Sequence, residues 1–275
     1  MKHIVLYHAD CSDGFGAAWA AWKHLGNDAS YMPMEYGTAP PSLHRNVHVY
    51  ILDFTFPRDV IEDMHDHCEE LVVMDHHGTT AKELEGLPYV VFDERKSGAV
   101  LAWEYFHPSA PIPELLRYIM DRDLWQFRLP KSREVFAALA SYPMDFQVWD
   151  HLEPSDLARE GEPILRYQGE IVRTVCNRAR LVTIAGHRVP VVNTAILASD
   201  VGQELLRRFP DSPFSASYFD RADAQRQWSL RSRPDFDVSI IAKKFGNGGH
   251  PQAAGFETPL SERHYVPYPE ERRDD

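Results

Sequence analysis

The sequence Asp75-His76-His77 places three metal-capable side chains directly after the apolar run 71–74, and Gly78 follows them. A short apolar run that ends in a glycine-bearing loop is typical of a buried strand in a parallel sheet. In open α/β sheets, ligands bind at the carboxyl ends of the strands. A polar loop with two incidental histidines is the alternative, since short motifs also occur by chance.

Other predicted strands also end in polar side chains. His8, Asp10 and Asp13 follow the strand-like run 3–7, and Asp53 follows the run 48–52. Each aspartate alone could cap the helix that comes next. Capping explains one residue in the first loop, but it does not explain His8 and Asp10 as well as Asp13.

Strands alternate with helical segments over the first 150 residues, which predicts a doubly wound parallel sheet. A helical pattern at 160–180 is followed by short strands and two helices, which predicts a smaller C-terminal α+β domain. The predicted boundaries are a first domain at 1–155, a helical linker at 156–182 and a second domain at 183–275.

Composition restricts the environment and the partners. The formal net charge of −12 disfavours long nucleic acid, including long duplex DNA, because neutralising phosphates supplies most of that affinity. The three cysteines are scattered, which suggests neither a disulfide framework nor a zinc ribbon and favours a cytoplasmic location. No apolar stretch approaches the roughly 20 residues that span a membrane, and the first seven residues are typical of a strand rather than of a signal peptide.

The strand-end residues predict a metal site. Several aspartates that converge without cations would repel one another, and bound metal removes that repulsion. Carboxylates with fewer imidazoles suit Mn²⁺, or alternatively Mg²⁺, better than zinc or copper. The number of ligands suits two ions bridged by one carboxylate, an arrangement that activates water for displacement at phosphorus.

The ordered motifs resemble those of the DHH phosphoesterase superfamily. They are His8-x-Asp10-x-x-Asp13-Gly14, then Asp53, then Asp75-His76-His77, then Ser97-Gly98-Ala99, and finally Asp121. The stretch Gly248-Gly249-His250 resembles the signature of the DHH-associated C-terminal domain in the nuclease and nanoRNase branch.

The resemblance implies a role for each matching residue. One ion would be held by His8, Asp10 and Asp53. The second would be held by Asp13, Asp53, His76 and Asp121. His77 would contact the substrate phosphate and assist the leaving group, while Asp75 would orient the histidine pair. Substrate phosphate would be held by His250, Gly248, Gly249 and Arg231. Independently of the resemblance, the helix start at Ser97 offers amides and a hydroxyl that could bind a substrate phosphate, and an ordinary helix cap is the alternative.

Two departures from the family pattern leave alternatives open. The first motif of the family usually has one residue between its two aspartates, whereas Cys11 and Ser12 both intervene here. The loop must therefore bulge, or Asp10 must reach the site differently. Asp123 competes with Asp121, which is preferred because Trp125 follows it at the family's spacing, and Asp93 is a third candidate.

The resemblance implies a metal-dependent phosphodiesterase that hydrolyses short oligonucleotides or linear dinucleotides to mononucleotides. The partner would be a short oligonucleotide or another small phosphorylated substrate, no membrane partner is expected, and a homodimer is left open. The alternatives are an exopolyphosphatase or pyrophosphatase, and a non-catalytic nucleotide-binding homologue.

Overall fold

A five-stranded parallel sheet forms the centre of the first half of the chain. The computed structural model describes residues 2–35, 37–246, 248–261 and the backbone of 266–267, with the side chain of residue 79 excluded. The chain divides into two compact units, residues 1–165 and 166–275. The strands of the first unit are β1 (His3–His8), β2 (Ala29–Met34), β3 (His48–Leu52), β4 (Glu70–Asp75) and β5 (Val90–Phe92).

The strand order is β2-β1-β3-β4-β5, and every neighbouring pair is parallel. Alternate residues of β1 enter different cores: Val5 and Tyr7 face one helical layer, and Leu6 faces the other. Both faces of the sheet are therefore covered. The predicted doubly wound parallel sheet is confirmed.

Seven α-helices lie entirely within the described part of this unit. They are α1 (Ser12–Leu25), α2 (Arg58–His67), α3 (Gly78–Glu83), α4 (Gly98–Phe106), α5 (Glu114–Asp123), α6 (Ser132–Leu139) and α7 (Phe146–Trp149). The alanines of α1 are buried in the core it shares with α4. A Cβ added to Gly16 would lie 3.0 Å from the Ala99 Cβ, so small residues are what let these two helices approach.

The order of the strands locates a ligand-binding edge. After β1 the chain runs outward to β2 and then returns to the other side of β1 to form β3. Helices on opposite faces separate at such a switch point, and a crevice opens at the carboxyl ends of the two strands. His8 ends β1 and Asp53 follows β3 at this crevice.

The second unit contains a separate seven-stranded sheet in the order β10-β11-β9-β8-β7-β6-β12. Its strands are β6 (Arg180–Ile184), β7 (His187–Asn193), β8 (Phe214–Asp220), β9 (Gln225–Ser232), β10 (Gly249–His250), β11 (Ala253–Pro259) and β12 (Val266–Pro267). Among the described strand pairings of this second sheet, only β7–β8 is parallel. With α9 (Ala198–Arg208) and α10 (Ser239–Lys243), this is the predicted smaller α+β domain.

A single long helix, α8 (Pro154–Cys176), crosses the boundary between the units. The predicted linker, 156–182, contains most of this helix but also the start of β6. The end of the predicted second domain, beyond 261, lies outside the described residues apart from 266–267. Among the described helices, none has both the length and the apolar character that crossing a membrane would require.

Two glycines of α8 provide a matched test of helix packing. A Cβ on Gly161 would overlap the backbone carbonyl of Glu134 in α6, whereas a Cβ on Gly169 would meet nothing within 4 Å. Gly161→Ala should lower the free energy of unfolding by roughly 1–3 kcal/mol, because the two helices must separate. Gly169→Ala should raise it by up to about 1 kcal/mol through helix propensity.

Chemical denaturation of both variants and of the wild type measures these changes. Equal stability of the two alanine variants would contradict the close approach of α6 to α8.

Candidate metal centre

The loop between β1 and α1 brings one face of α1 onto the end of the strand. A Cβ on Gly14 would overlap the backbone carbonyl of His8, so only glycine permits this contact. The next residue's amide, on Phe15, donates to the Cys11 carbonyl at 2.9 Å and begins the helix. Asp13, in the first turn, is thereby buried beside the end of the sheet.

The first turn of α4 holds Asp13 in place. The amide of Gly98 donates to Asp13 Oδ2 at 2.6 Å, and the amide of Ala99 donates to Oδ1 at 3.0 Å. Amides at a helix N-terminus favour a negative charge. The anion that these amides bind is therefore a carboxylate of the protein itself.

The Ser97 hydroxyl is fully buried and accepts from Val100 N at 3.5 Å as an N-cap. The prediction that the helix start at Ser97 binds substrate phosphate is therefore wrong, because the amides of Gly98 and Ala99 are already bound to Asp13.

Asp53 lies at the centre of the site. It is only 1% exposed, it has a left-handed φ of 65°, and its amide donates to the Met74 carbonyl at 2.9 Å. A Cβ on Gly98 would lie 2.6 Å from the Asp53 Cβ, so α4 approaches this carboxylate closely. A non-glycine residue in a left-handed conformation is strained, and such strain is concentrated at functional sites.

The two oxygens of Asp53 face different histidines. Its Oδ2 lies 3.6 Å from His8 Nδ1, and its Oδ1 lies 3.2 Å from His76 Nε2. His76 Nε2 also lies 3.6 Å from Asp13 Oδ2 and 3.5 Å from Asp123 Oδ2. Three carboxylates therefore converge on one imidazole nitrogen.

The charges of this cluster shift the pKa values of its members. Burial opposes the charged form of Asp53, yet His76 and His8 hold its pKa well below the usual range. Burial likewise opposes the charged form of His76, yet Asp53, Asp13 and Asp123 raise its pKa to about 10. Burial and the neighbouring carboxylates raise the pKa of Asp13. The protein alone thus balances these carboxylates with protons, and a cation can replace the protons.

Two of the three groups of neighbouring ligand atoms among the described residues could each hold a metal ion. The first contains His8, Cys11 and Asp53, and the second contains Asp13, His76 and Asp123. In each group the ligand atoms lie within 4.8 Å of one another. Asp53 Oδ1 is buried and accepts no hydrogen bond of acceptable geometry among the described residues. A buried acceptor in that state is costly, and a metal ion would satisfy it.

Asp75 belongs to a third group of neighbouring side chains, with Asp53, His76 and His77. Its Oδ1 accepts from the His76 amide at 2.7 Å and contacts His77 Nδ1 at 2.6 Å, and its Oδ2 accepts from the Thr80 hydroxyl. Both oxygens are therefore engaged within the protein. Asp75 orients the His77 ring and the backbone of the pair.

Asp123, and not Asp121, lies at the cluster. Asp121 is buried, and its two oxygens accept from the amides of Arg128 at 2.8 Å and Leu129 at 3.1 Å. Two positions along a helix correspond to about 200° of rotation, so the two aspartates face different sides of α5. The preference for Asp121 as a metal ligand is wrong, because its carboxylate anchors the loop that follows α5. Asp93, the third candidate, accepts a hydrogen bond from the Arg95 guanidinium.

Asp10 does not reach the cluster. It has a left-handed φ of 52° and is exposed, and it belongs to none of the three groups of neighbouring ligand atoms. Cys11 takes the place that was predicted for Asp10. The sequence carried a usable signal, since Cys11 stands two residues before Asp13, the spacing that the family motif gives to its first aspartate.

The glycines around His250 have structural explanations. Gly249 has a φ of +142°, and a Cβ there would lie 2.6 Å from the Ala254 Cα across the hairpin of β10 and β11. A Cβ on Gly255 would lie 2.8 Å from the Trp228 carbonyl of β9. Gly248 contributes its carbonyl, which accepts from the Gly255 amide at 3.3 Å. Tight strand pairing therefore accounts for Gly249 and Gly255 without a ligand.

Strand register places His250 and Arg231 on one face of the second sheet. Both are cross-strand partners of Ala253, His250 from β10 and Arg231 from β9, and partners point to the same side. The Arg231 guanidinium donates to the Ser199 hydroxyl at 2.6 Å and to the Leu230 carbonyl at 2.7 Å.

Sequence reasoning did not predict that aromatic and arginine side chains close to Asp123 in the sequence contact one another. The Arg122 guanidinium lies 4.0 Å from the Trp125 ring centroid, and that of Arg133 lies 3.7 Å from the Phe127 centroid. Trp125 and Phe127 both have left-handed φ values, 55° and 51°. Together, Arg122, Trp125, Phe127 and Arg133 are termed the aromatic–arginine cluster below.

No family model matches the chain, but a curated protein is similar to it in sequence. An uncharacterized protein, R106, of Acanthamoeba polyphaga mimivirus is 30% identical over 279 residues, which cover 92% of this chain and 66% of that protein. The chain therefore spans 66% of the length of this curated relative.

Two solved structures are similar in fold. The DHH domain of a protein assigned to a family of ribosomal proteins matches with a TM-score of 0.54 and 14% identity, over 95% of this chain and 83% of that one. RecJ of Thermus thermophilus, in complex with Mn²⁺, matches with a TM-score of 0.50 and 15% identity, over 94% of this chain and 50% of that one. The resemblance drawn from the motifs is confirmed at the level of the fold.

Substitution of the two aspartates of α5 should separate metal binding from stability. Asp123→Ala should lower the amount of divalent metal bound and leave the melting temperature of the metal-free protein nearly unchanged. Asp121→Ala should lower the free energy of unfolding by roughly 1–3 kcal/mol, because two loop amides lose their acceptor.

Elemental analysis after dialysis and thermal unfolding of the metal-free proteins measure the two effects. Loss of metal from the folded Asp121 variant, with full metal in the Asp123 variant, would contradict the assignment.

Proposed function

We propose that this chain, whose fold is that of the DHH phosphoesterases, is a metal-dependent phosphodiesterase that hydrolyses short oligonucleotides or linear dinucleotides to mononucleotides. The observation that supports it most is the position of Asp53. Its two oxygens face two separate groups of ligands at the switch point of the sheet. A bridging carboxylate of this kind is what a dinuclear phosphoesterase requires.

Two divalent ions, Mn²⁺ or alternatively Mg²⁺, would supply an activated water and stabilise the oxygens of an in-line displacement at phosphorus. The chain's own contribution is to hold the ligands before the ions arrive. The α4 amides fix Asp13, and close contact with Gly98 fixes Asp53. Ligands fixed in this way bind metal without first having to become ordered.

His77 is proposed to assist the leaving group. Its Nδ1 is engaged with Asp75, so Nε2 is the nitrogen that would donate to a substrate oxygen. Burial opposes protonation of the ring, but Asp75 raises the pKa of His77. A protonated imidazole can donate a hydrogen bond, and then the proton, to the oxygen that leaves phosphorus.

The aromatic–arginine cluster supports a nucleotide substrate over polyphosphate. Nucleobases stack on aromatic rings and on guanidinium planes. Polyphosphate has no bases to stack, so only the positive charges of the arginines would contribute to its binding. Trp125 and Phe127 are partly exposed, and they follow the proposed metal ligand Asp123 by two and four residues.

The second unit is proposed to hold a substrate phosphate through His250 and Arg231. Their common face carries the α9 contact, where the Ser215 hydroxyl donates to the Gly202 carbonyl at 2.8 Å. The Arg231 guanidinium, held by Ser199 beside the first turn of α9, provides a fixed positive charge. Gly248 and Gly249 contribute the shape of the hairpin that carries His250.

The test of this function is hydrolysis by the whole chain with added Mn²⁺. A 5′-phosphorylated dinucleotide should be cleaved to mononucleotides faster than pyrophosphate, polyphosphate or a long single strand. The variant Asp53→Asn should lose at least about 100-fold in rate, the upper end of losses when even a metal ligand's hydrogen-bonding partner is removed.

Faster cleavage of pyrophosphate or polyphosphate than of the dinucleotide would reject the substrate assignment. Binding of nucleotide without hydrolysis of any of these substrates would favour the non-catalytic homologue.

Replacing the two histidines one at a time should divide their roles. His77→Ala should retain both metals but lose about 10²–10⁴ in rate, because the acid that assists the leaving group is gone. His76→Ala should also lose metal, because its ring lies among three carboxylates. Metal content by elemental analysis and single-turnover rates measure the two losses. Equal loss of metal from both variants would rule out this division.

A further inference from the structure

Cys11 occupies a position in the proposed dinuclear site that the first metal-binding aspartate of the DHH motif would fill. Its Sγ lies with a ring nitrogen of His8 and a carboxylate oxygen of Asp53 in a group no wider than 4.8 Å. Asp10, the alternative, is exposed, has a left-handed φ and belongs to none of the groups of neighbouring ligand atoms. The chain therefore offers sulfur where an oxygen ligand was expected.

A separate observation supports a cation at the carboxylate of this group. Asp53 is 1% exposed, and its Oδ1, which faces His76, accepts no hydrogen bond of acceptable geometry among the described residues. The other oxygen, Oδ2, lies 3.6 Å from His8 Nδ1, beyond hydrogen-bonding distance. A buried carboxylate held in this way is poised for a cation, and Cys11 is among the atoms that would surround it.

The N-cap position of Cys11 does not by itself explain a cysteine there. It precedes α1 at the N-cap position, yet its side chain makes no capping hydrogen bond. Serine, threonine, asparagine or aspartate would serve better as a cap. The backbone carbonyl of Cys11 accepts the first helical hydrogen bond, from Phe15, and any residue could provide it.

On this basis, and resting on the proposed dinuclear site, we infer that Cys11 binds the first metal ion as a thiolate and biases that position toward Zn²⁺, Co²⁺ or Fe²⁺. Thiolate ligands select these softer ions, whereas Mn²⁺ and Mg²⁺ prefer oxygen. On binding, the S–H bond breaks, the proton passes to solvent, and the sulfur–metal bond forms. The second group, Asp13, His76 and Asp123, has only oxygen and imidazole ligands. Its preference for hard ions such as Mn²⁺ and Mg²⁺ is therefore unchanged.

Tighter binding of Zn²⁺ than of Mn²⁺ by the wild type is not a sufficient test, because nearly every nitrogen, oxygen or sulfur site binds Zn²⁺ more tightly than Mn²⁺. The informative quantity is the change in the Zn²⁺-to-Mn²⁺ affinity ratio between wild type and Cys11→Asp. That substitution exchanges sulfur for oxygen and gives the motif its two aspartates with one residue between them. The ratio should fall by at least about 10-fold, as measured by competition with a chelating dye.

Spectroscopy identifies the sulfur ligand without any turnover. Titration of the metal-free protein with Co²⁺ should produce thiolate-to-metal charge-transfer absorption in wild type and in the control Cys68→Ser. Cys11→Ser should lose this absorption while still binding Co²⁺ at the second group. Cys68 and Cys176 remain in that variant, so retained absorption would overturn the inference.

A measurement on the wild-type protein covers the case in which the Cys11 variants fold poorly. Alkylation followed by peptide mass analysis should show that Zn²⁺ protects Cys11 and leaves the alkylation of Cys68 unchanged. Bound Zn²⁺ without protection of Cys11 would overturn the assignment.

The two proposals can fail separately. Charge-transfer absorption without dinucleotide hydrolysis would reject the proposed function and leave the thiolate ligand standing. Hydrolysis without the absorption would reject the thiolate ligand alone.

Discussion

The repulsion between neighbouring carboxylates, two of them buried, at the switch point is the constraint on which the rest of the first unit depends. Asp13, Asp53 and Asp123 come from three separate parts of the chain and meet at one imidazole nitrogen of His76. Bringing negative charges out of water into one place is unfavourable unless something positive is provided. In the protein itself that is a proton on His76, whose pKa is raised to about 10. A divalent metal ion could therefore replace this proton and neutralise more of the negative charge.

The aspartates of the site differ in the hydrogen bonds that their carboxylate oxygens already accept. Asp75 and Asp121 accept hydrogen bonds from loop amides and side chains on both oxygens, and they shape the loops around the site. Asp53 has a buried oxygen that accepts no well-formed hydrogen bond among the described residues. Asp13 is intermediate, since two helix amides hold it while it still lies 3.6 Å from His76. A carboxylate has about four acceptor positions, so two amides leave room for a metal.

Hydrophobic patterning was enough to predict the sheet, because each strand is a local run of apolar residues that ends in a polar one. His8, Asp53 and His76 could be identified for the same reason, since a strand end is visible in the sequence. Asp121 and Asp123 could not be separated in that way. Their difference lies in the rotation of α5, and a pattern of spacing does not fix that rotation to within two residues.

The errors at Asp10 and Ser97 have different origins. Asp10 is exposed and has a left-handed φ that the sequence does not reveal, whereas Cys11, at the family's spacing before Asp13, lies in the cluster. The helix start at Ser97 has the amides expected of an anion site, but the anion is Asp13, which is 85 residues away along the chain from Gly98. This second outcome depends on a contact between distant segments. Local composition could not have distinguished a substrate phosphate from a protein carboxylate.

The distribution of charge also bears on the size of substrate that such a site can accept. A formal charge of −12 opposes the approach of a long polyanion at every phosphate, so each added nucleotide outside the site brings repulsion without a new contact. Within the first unit, Arg122 and Arg133 place positive charge on aromatic rings that follow Asp123 in the sequence. Under the proposed function, a short substrate would use that local charge and stacking while exposing few phosphates to the acidic surface. Under the same proposal, the charge distribution would favour a substrate of one or two nucleotides over long nucleic acid.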